Sequence, residues 1–144
     1  MKDFLRKYAI KGLIVAISIL FLAQILPIFP RTNPPVGKEL AWDRPETRVL
    51  AKRACFDCHS NETVWPWYAY IAPISWLVVH DVDEGRSEFN LSDWHPIENL
   101  GKIAGAQIKR GKMPLPQYLL LHPEARLTET EKEELIRGLQ ESMK

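Results

Sequence analysis

Gly12 to Pro30 form a run of nineteen residues without one ionisable side chain, and nothing else restricts the fold of this chain so tightly. A helix needs about 20 mainly apolar residues to cross the hydrocarbon core of a bilayer. Leu13, Ile14, Val15, Ile17, Leu20, Phe21, Leu22, Ile25, Leu26, Ile28 and Phe29 are among those that meet the requirement here. Lys2, Arg6, Lys7 and Lys11 precede the run, and cations on that flank favour a cytoplasmic N-terminus. In a bacterial cell, everything after Arg31 is then expected outside the inner membrane. A cleaved signal peptide would have an apolar region of about 7–15 residues and a small-x-small cleavage site. The run is longer than that, and Ala23-Gln24-Ile25 places a branched residue at the critical end. Residues 1–30 are therefore expected to be an uncleaved, single-pass anchor, with Pro27 and Pro30 marking its exit. A buried core helix, the other alternative, would need partners on all sides.

Beyond the anchor the composition changes to RTNPPVGKELAWDRP, too rich in proline for a regular helix. Residues 31–45 are expected to be an extended spacer, and 46–144 a single folded domain, because two domains would each have a marginal core. From Arg31 onward there are 15 basic and 17 acidic side chains, a net charge of −2. No basic tract invites nucleic acid.

The periodicity predicts an all-α fold. Thr47 to His59 reads as a helix entered through Pro45, and SNETVWPWYAY as a loop, because Trp65 before Pro66 favours an extended backbone. Pro73 suits the first turn of a helix running to Gly85 or Phe89, with Ile74, Leu77, Val78 and Val82 on one stripe. Ser92 is expected to cap a third helix over Asp93–Arg110, stopped by Gly111. Thr128 and Glu131 match a capping box for a last helix containing Leu135, Ile136 and Leu139. No internal repeat is present.

The chain has two cysteines, both in Cys55-Phe56-Asp57-Cys58-His59. A thioredoxin-like redox pair belongs between parallel strands, which the pattern lacks. Structural zinc needs four converging ligands; the second half of such a site is missing, and adjacent Cys58 and His59 converge poorly on one tetrahedral ion. A Cys55–Cys58 disulfide would enclose little chain and gain little entropy. Covalent haem attachment accounts for all three residues. On one helical turn the two thiols lie three residues apart and can reach two vinyl groups of one porphyrin edge, while His59, four from Cys55, is placed to ligate the iron. Export beyond the membrane agrees with this chemistry.

Together with CFDCHSNETVWPWYAYIAPISWLVVHDVDEGRSEFNLSDW and KMPLPQYLLLHPEARLT, the motif resembles the haem-binding domain family of membrane-anchored, c-type cytochrome-like proteins with one C-x-x-C-H. The likeness covers most of Trp42 to Leu139. It implies one covalent haem c and electron transfer in the cell envelope, with redox proteins as partners, and it supplies no small-molecule substrate.

The sixth iron position has four candidates: Met113, His80, His95 and His122. Met113 is preferred, because Gly111 permits a tight turn and Pro114 and Pro116 stiffen the loop around it. A Met-Pro loop between the motif helix and a C-terminal helix is similar to the layout of small cytochromes c. The competing role for Met113 is an adaptable core filler. His80 is the alternative ligand, though a lone histidine on such a helix is more often a hydrogen-bonded boundary residue. His95 and His122 read as surface residues, and Met143 as part of a frayed end. Trp65, Trp67, Tyr68, Tyr70 and Trp76 follow the motif closely. Trp65 and Trp67 are the aromatic residues expected to cover the porphyrin, ahead of Trp76 and Trp94. Arg48 and Arg86 could pair with propionates by charge alone.

The expected function is that of an electron carrier and not an enzyme, built as a cytochrome c-like helical domain around covalent haem behind one transmembrane helix. The alternatives are a haem enzyme or gas sensor with an open sixth site, served by His80 or His122, and a structural zinc module.

Overall fold

The computed structural model describes residues 2–25 and 30–144. Leu26, Pro27, Ile28 and Phe29, named above at the end of the apolar run, lie outside the described residues. All regular structure among the described residues is helical: α1 (Lys2–Ile25), α2 (Pro45–Ala54), α3 (Phe56–His59), α4 (Ile74–Glu88), α5 (Leu100–Lys109), α6 (Glu129–Ser142) and three 3-10 turns. The chain divides into two compact units, one formed by residues 1–31 and 65–81, the other by 32–64 and 82–144.

In the first unit, Arg6–Ile25 of α1 is long and apolar enough to cross a membrane, and none of that stretch is buried. At about 1.5 Å per residue it spans about 30 Å. Near its end, the Gln24 side-chain amide donates to the Ala72 carbonyl (3.1 Å) and its oxygen accepts from the Ala72 amide (3.0 Å). Arg31 donates to the Ala69 carbonyl (3.2 Å), and its guanidinium lies 4.3 Å from the centre of the Tyr70 ring. Within the stretch expected to be a plain loop, Trp67–Tyr70 winds into a 3-10 turn. Ala69, Ala72, Ser75 and Val79 are buried. Three of these are small, which lets the backbones approach closely.

The second unit is built around α2, α5 and α6. Its core contains Leu40, Leu50, Phe56, Leu91, Trp94, Leu100, Leu135 and Leu139. Residues 32–44 are extended, as proline content requires, but they are pinned along the core and do not run free. Gly37 donates to the Ser92 carbonyl (2.9 Å), Leu40 to Leu91 (3.0 Å), and Trp94 to Lys38 (2.6 Å). Leu40, inside this segment, is buried, and burying a leucine contributes about 1.5–3 kcal/mol.

Two helix boundaries differ from the sequence pattern. The helix expected over Thr47–His59 breaks at Cys55, whose φ of −128° is not helical, so the motif occupies its own turn, α3. The helix expected from Asp93 starts only at Leu100, after Asn99 in the left-handed region (φ 59°). Pro96 explains the delay, because the residue before a proline is forced out of the helical region. Ser92 is consequently no cap; its buried hydroxyl accepts from the Asn61 amide (3.1 Å). The capping box of α6 forms as read, with Thr128 accepting from Glu131 N–H (3.2 Å) and Glu131 accepting from Thr128 N–H (2.7 Å). Met143, expected at a frayed end, is buried against the core.

Helices α5 and α6 cross at glycine. A Cβ on Gly101 would lie 2.7 Å from the Leu139 carbonyl oxygen and 2.9 Å from the Gln140 Cα, backbone atoms that cannot rotate away. Alanine gains about 1 kcal/mol of helix propensity over glycine, while overpacking costs about 1–3 kcal/mol or more. Gly101→Ala is therefore expected to lower unfolding stability by about 1–2 kcal/mol in denaturant titration of the detergent-solubilised chain. Lys102→Ala, exposed on the same helix, should change it by less than about 0.5 kcal/mol.

Candidate haem-attachment site

α2 delivers the chain to the motif, and Phe56 fixes how the motif turn sits. Its side chain is buried between the two cysteines' positions in sequence, packs in the core and stacks on Trp42 with ring centres 6.1 Å apart. The turn is held by backbone bonds from Cys58 and His59 to the Cys55 carbonyl (3.2 and 2.8 Å). Cys55 and Cys58 are thus half-buried neighbours on one turn, and neither is in a disulfide. Burial against the core, and after it the proximity of Cys58, push the Cys55 thiol up to about 12. At neutral pH it keeps its proton, so it is a poor thiolate nucleophile for disulfide exchange.

The imidazole of His59 is fixed from two sides. It stacks on Phe89 with ring centres 4.0 Å apart and planes 8° from parallel, and its Nδ1 lies 3.4 Å from the Phe89 carbonyl oxygen. Burial lowers its pKa, partly opposed by the Phe89 and Gly85 carbonyls and the charge of Glu88. A neutral ring with Nδ1–H directed at a carbonyl carries its lone pair on Nε2, the state a metal ligand requires.

Some of the residues around this turn had no separate signal in the sequence, and others had a different one. Gly85 read only as a possible helix end, yet a Cβ there would lie 2.5 Å from the Cys58 carbonyl oxygen and 3.0 Å from its Cβ. Helix α4 passes directly over the second cysteine. Arg86, offered above as a propionate partner, is engaged otherwise: it donates to the carbonyls of Ser60 (2.8 Å) and Thr32 (2.9 Å), to Asn33 Oδ1 (3.0 Å) and to Thr63 Oγ1 (2.9 Å). Arg48 pairs with Glu39 (2.6 Å) and Glu62 (3.5 Å), and its guanidinium lies 5.2 Å from the centre of the Phe56 ring. Asp57, between the cysteines, accepts from Val64 N–H (3.0 Å) and from the Tyr118 hydroxyl (2.7 Å). Burial, then Asp57, raises the Tyr118 pKa and keeps the phenol a donor.

The remaining candidates are placed as follows. Met113 lies on the turn after α5, where Gly111 adopts φ +64° and the Met113 amide donates to the Gln107 carbonyl (3.3 Å). Its side chain is 38 % exposed, so it does not fill a core gap. His80 is exposed on the part of α4 belonging to the first unit, which also holds half-buried Trp65 and, at 74 % exposure, Trp67. His95 is at the surface as expected, near the Asp93 carbonyl (3.0 Å). His122 is not a surface residue: its side chain is only 12 % exposed, stacked on Tyr118 at 3.9 Å and paired with Glu124 at 2.8 Å. Trp94 belongs to the core of the second unit.

The donor set suits a porphyrin better than zinc. Among the described residues no three histidine, cysteine or acidic side chains converge into a metal-binding group, whereas two thiols and a neutral imidazole on one turn are the set that covalent haem needs. Comparison with known proteins agrees: the model of the family described as Haem-binding domain matches residues 18–141. No curated protein and no solved structure matches the chain.

Two outcomes follow. Gly85→Ala should destabilise the chain by about 1–3 kcal/mol and, by lifting α4 from the motif, raise the alkylation rate of Cys58 in haem-free protein, read by mass spectrometry. For Glu39, the hydrogen bond from Arg48 leads the lowering of its pKa below the ordinary 4.5. The stability it contributes is present above that ordinary value and is lost as pH falls through the lowered one. Denaturation midpoints measured across pH 3–6 should therefore fall less steeply in Glu39→Gln than in the parent chain. Half-exposure limits the difference to about 1 kcal/mol or less.

Proposed function

The chain belongs to the haem-binding domain family, and from that membership we propose that it is a membrane-anchored c-type haem protein of the bacterial envelope that carries single electrons. Haem, when bound, supplies a one-electron ferric/ferrous couple. The observation that carries the proposal is the state of His59: neutral, half-buried, with Nδ1 directed at the Phe89 carbonyl, on the same turn as two cysteines that share no disulfide.

Cys55 and Cys58 would hold the haem covalently, each thiol supplying sulfur to one vinyl carbon and its hydrogen to the other, so that nothing is oxidised or reduced. His59 would hold the iron through Nε2, with the Phe89 carbonyl setting its tautomer and orientation. Met113 would be the sixth ligand, from the turn that Pro114 follows, in a layout similar to that of cytochrome c. Methionine paired with histidine raises the reduction potential relative to two histidines.

With His59 and Met113 both holding the iron, haem would supply electron transfer alone, and the protein would act as a carrier. Its partners are redox proteins of the envelope. Helix α1 spans the inner membrane with its basic N-terminus cytoplasmic, and the motif lies on the periplasmic side. The ferric protein is expected to show the weak far-red sulfur-to-iron charge-transfer band, and Met113→Ala to abolish it, while the reduced parent protein refuses carbon monoxide. A spectrum unchanged by the substitution would remove Met113 from the iron and return His80 as the alternative. Rapid stoichiometric carbon monoxide binding would instead indicate a haem enzyme or gas sensor with an open sixth site.

A further inference from the structure

Val64 to Val79 is a second stretch without a single aspartate, glutamate, lysine, arginine or histidine, sixteen residues long. Unlike a core segment, it turns much of its apolar surface outward. Trp67 is 74 % exposed, and Tyr70, Ile71, Ile74 and Leu77 are exposed as well. These residues recur every three or four positions through the 3-10 turn and the start of α4. The small residues Ala69, Ala72 and Ser75 occupy the buried positions between them. A contiguous exposed apolar face of this kind marks an interaction surface.

Its position within the first unit identifies the partner. Gln24 lies one residue before the end of α1 and holds the backbone of Ala72 through both of its amide groups. The face is therefore held at the level where α1 ends. Arg31 donates to the Ala69 carbonyl and lies over the Tyr70 ring, a cation at the edge of an otherwise uncharged patch. Tryptophan and tyrosine beside apolar side chains, edged by arginine, are the residues that settle at the boundary between lipid headgroups and hydrocarbon.

We propose that the exposed face formed by Trp67, Tyr70, Ile71, Ile74 and Leu77 lies in the outer headgroup boundary of the bilayer, held there by Gln24 at the end of α1. The inference rests on the assignment of α1 as a membrane anchor. It gives Trp67 a lipid contact in place of the porphyrin-covering role expected from sequence. The segment then acts as a second, interfacial attachment that follows the spanning helix.

The full-length native chain in nanodiscs of phosphatidylethanolamine and phosphatidylglycerol tests this. A lipid bearing a diazirine at the glycerol end of its acyl chain is photolysed, and the adducts are mapped by mass spectrometry. Adducts at Trp67, Ile74 and Leu77 are expected at yields comparable to the outer part of α1, with little or no labelling at Val49 and Leu120, which are apolar and exposed in the second unit. Adducts on α1 alone would overturn the interfacial face and leave the anchor standing. Absence of adducts from both would remove the anchor, and this inference with it. Equal labelling of Val49 and Leu120 would reduce the face to general stickiness and contradict the proposal.

Discussion

The burial of Phe56 fixes the geometry on which the site depends. One large ring sits in the core between two cysteines, stacked on Trp42 and covered by Arg48. Full burial of such a side chain contributes about 1.5–3 kcal/mol, and it decides which way a four-residue turn can face. With Phe56 inward, Cys55, Cys58 and His59 are left only half-buried. The rest of the second unit reinforces that choice. Gly85 lets α4 come down on Cys58, Phe89 clamps the imidazole, and Arg86 draws together Ser60, Thr63 and the start of the extended segment.

Much of this was legible in the sequence because it depends on local rules. Thr128 and Glu131 announce a helix start through a reciprocal hydrogen-bond pattern, and the cap forms as written. The apolar run of α1 and the spacing of Cys55, Cys58 and His59 are equally local. The break at Cys55 was not legible, since nothing in residues 47–59 forbids a continuous helix; tertiary packing of Phe56 imposes it. The late start of α5 could have been read from His95-Pro96, whose steric rule outweighs the cap offered by Ser92. Gly85, Phe89 and Tyr118 were invisible as site residues, because their roles come from contacts 27 or more residues away in the chain. Charge alone suggested a propionate role for Arg86, and charge alone could not reveal that four hydrogen bonds already occupy it.

The two apolar stretches divide the physical tasks. One is a helix whose Arg6–Ile25 stretch is unburied and long and apolar enough to cross a membrane. The other packs its small residues and exposes its aromatic ones, as an interfacial segment does. In between, the proline-rich residues 32–44 are bonded to the Leu91–Trp94 strip, so they extend without being loose. A porphyrin bound at the motif would add apolar contact to a small second unit.

The most direct measurement is the intact mass of the purified chain after extraction with acidic acetone, followed by fragment mapping. The account predicts that one haem remains on the protein, attached through both Cys55 and Cys58. A chain that returns to the mass of its bare sequence, with both cysteines unmodified, would contradict it.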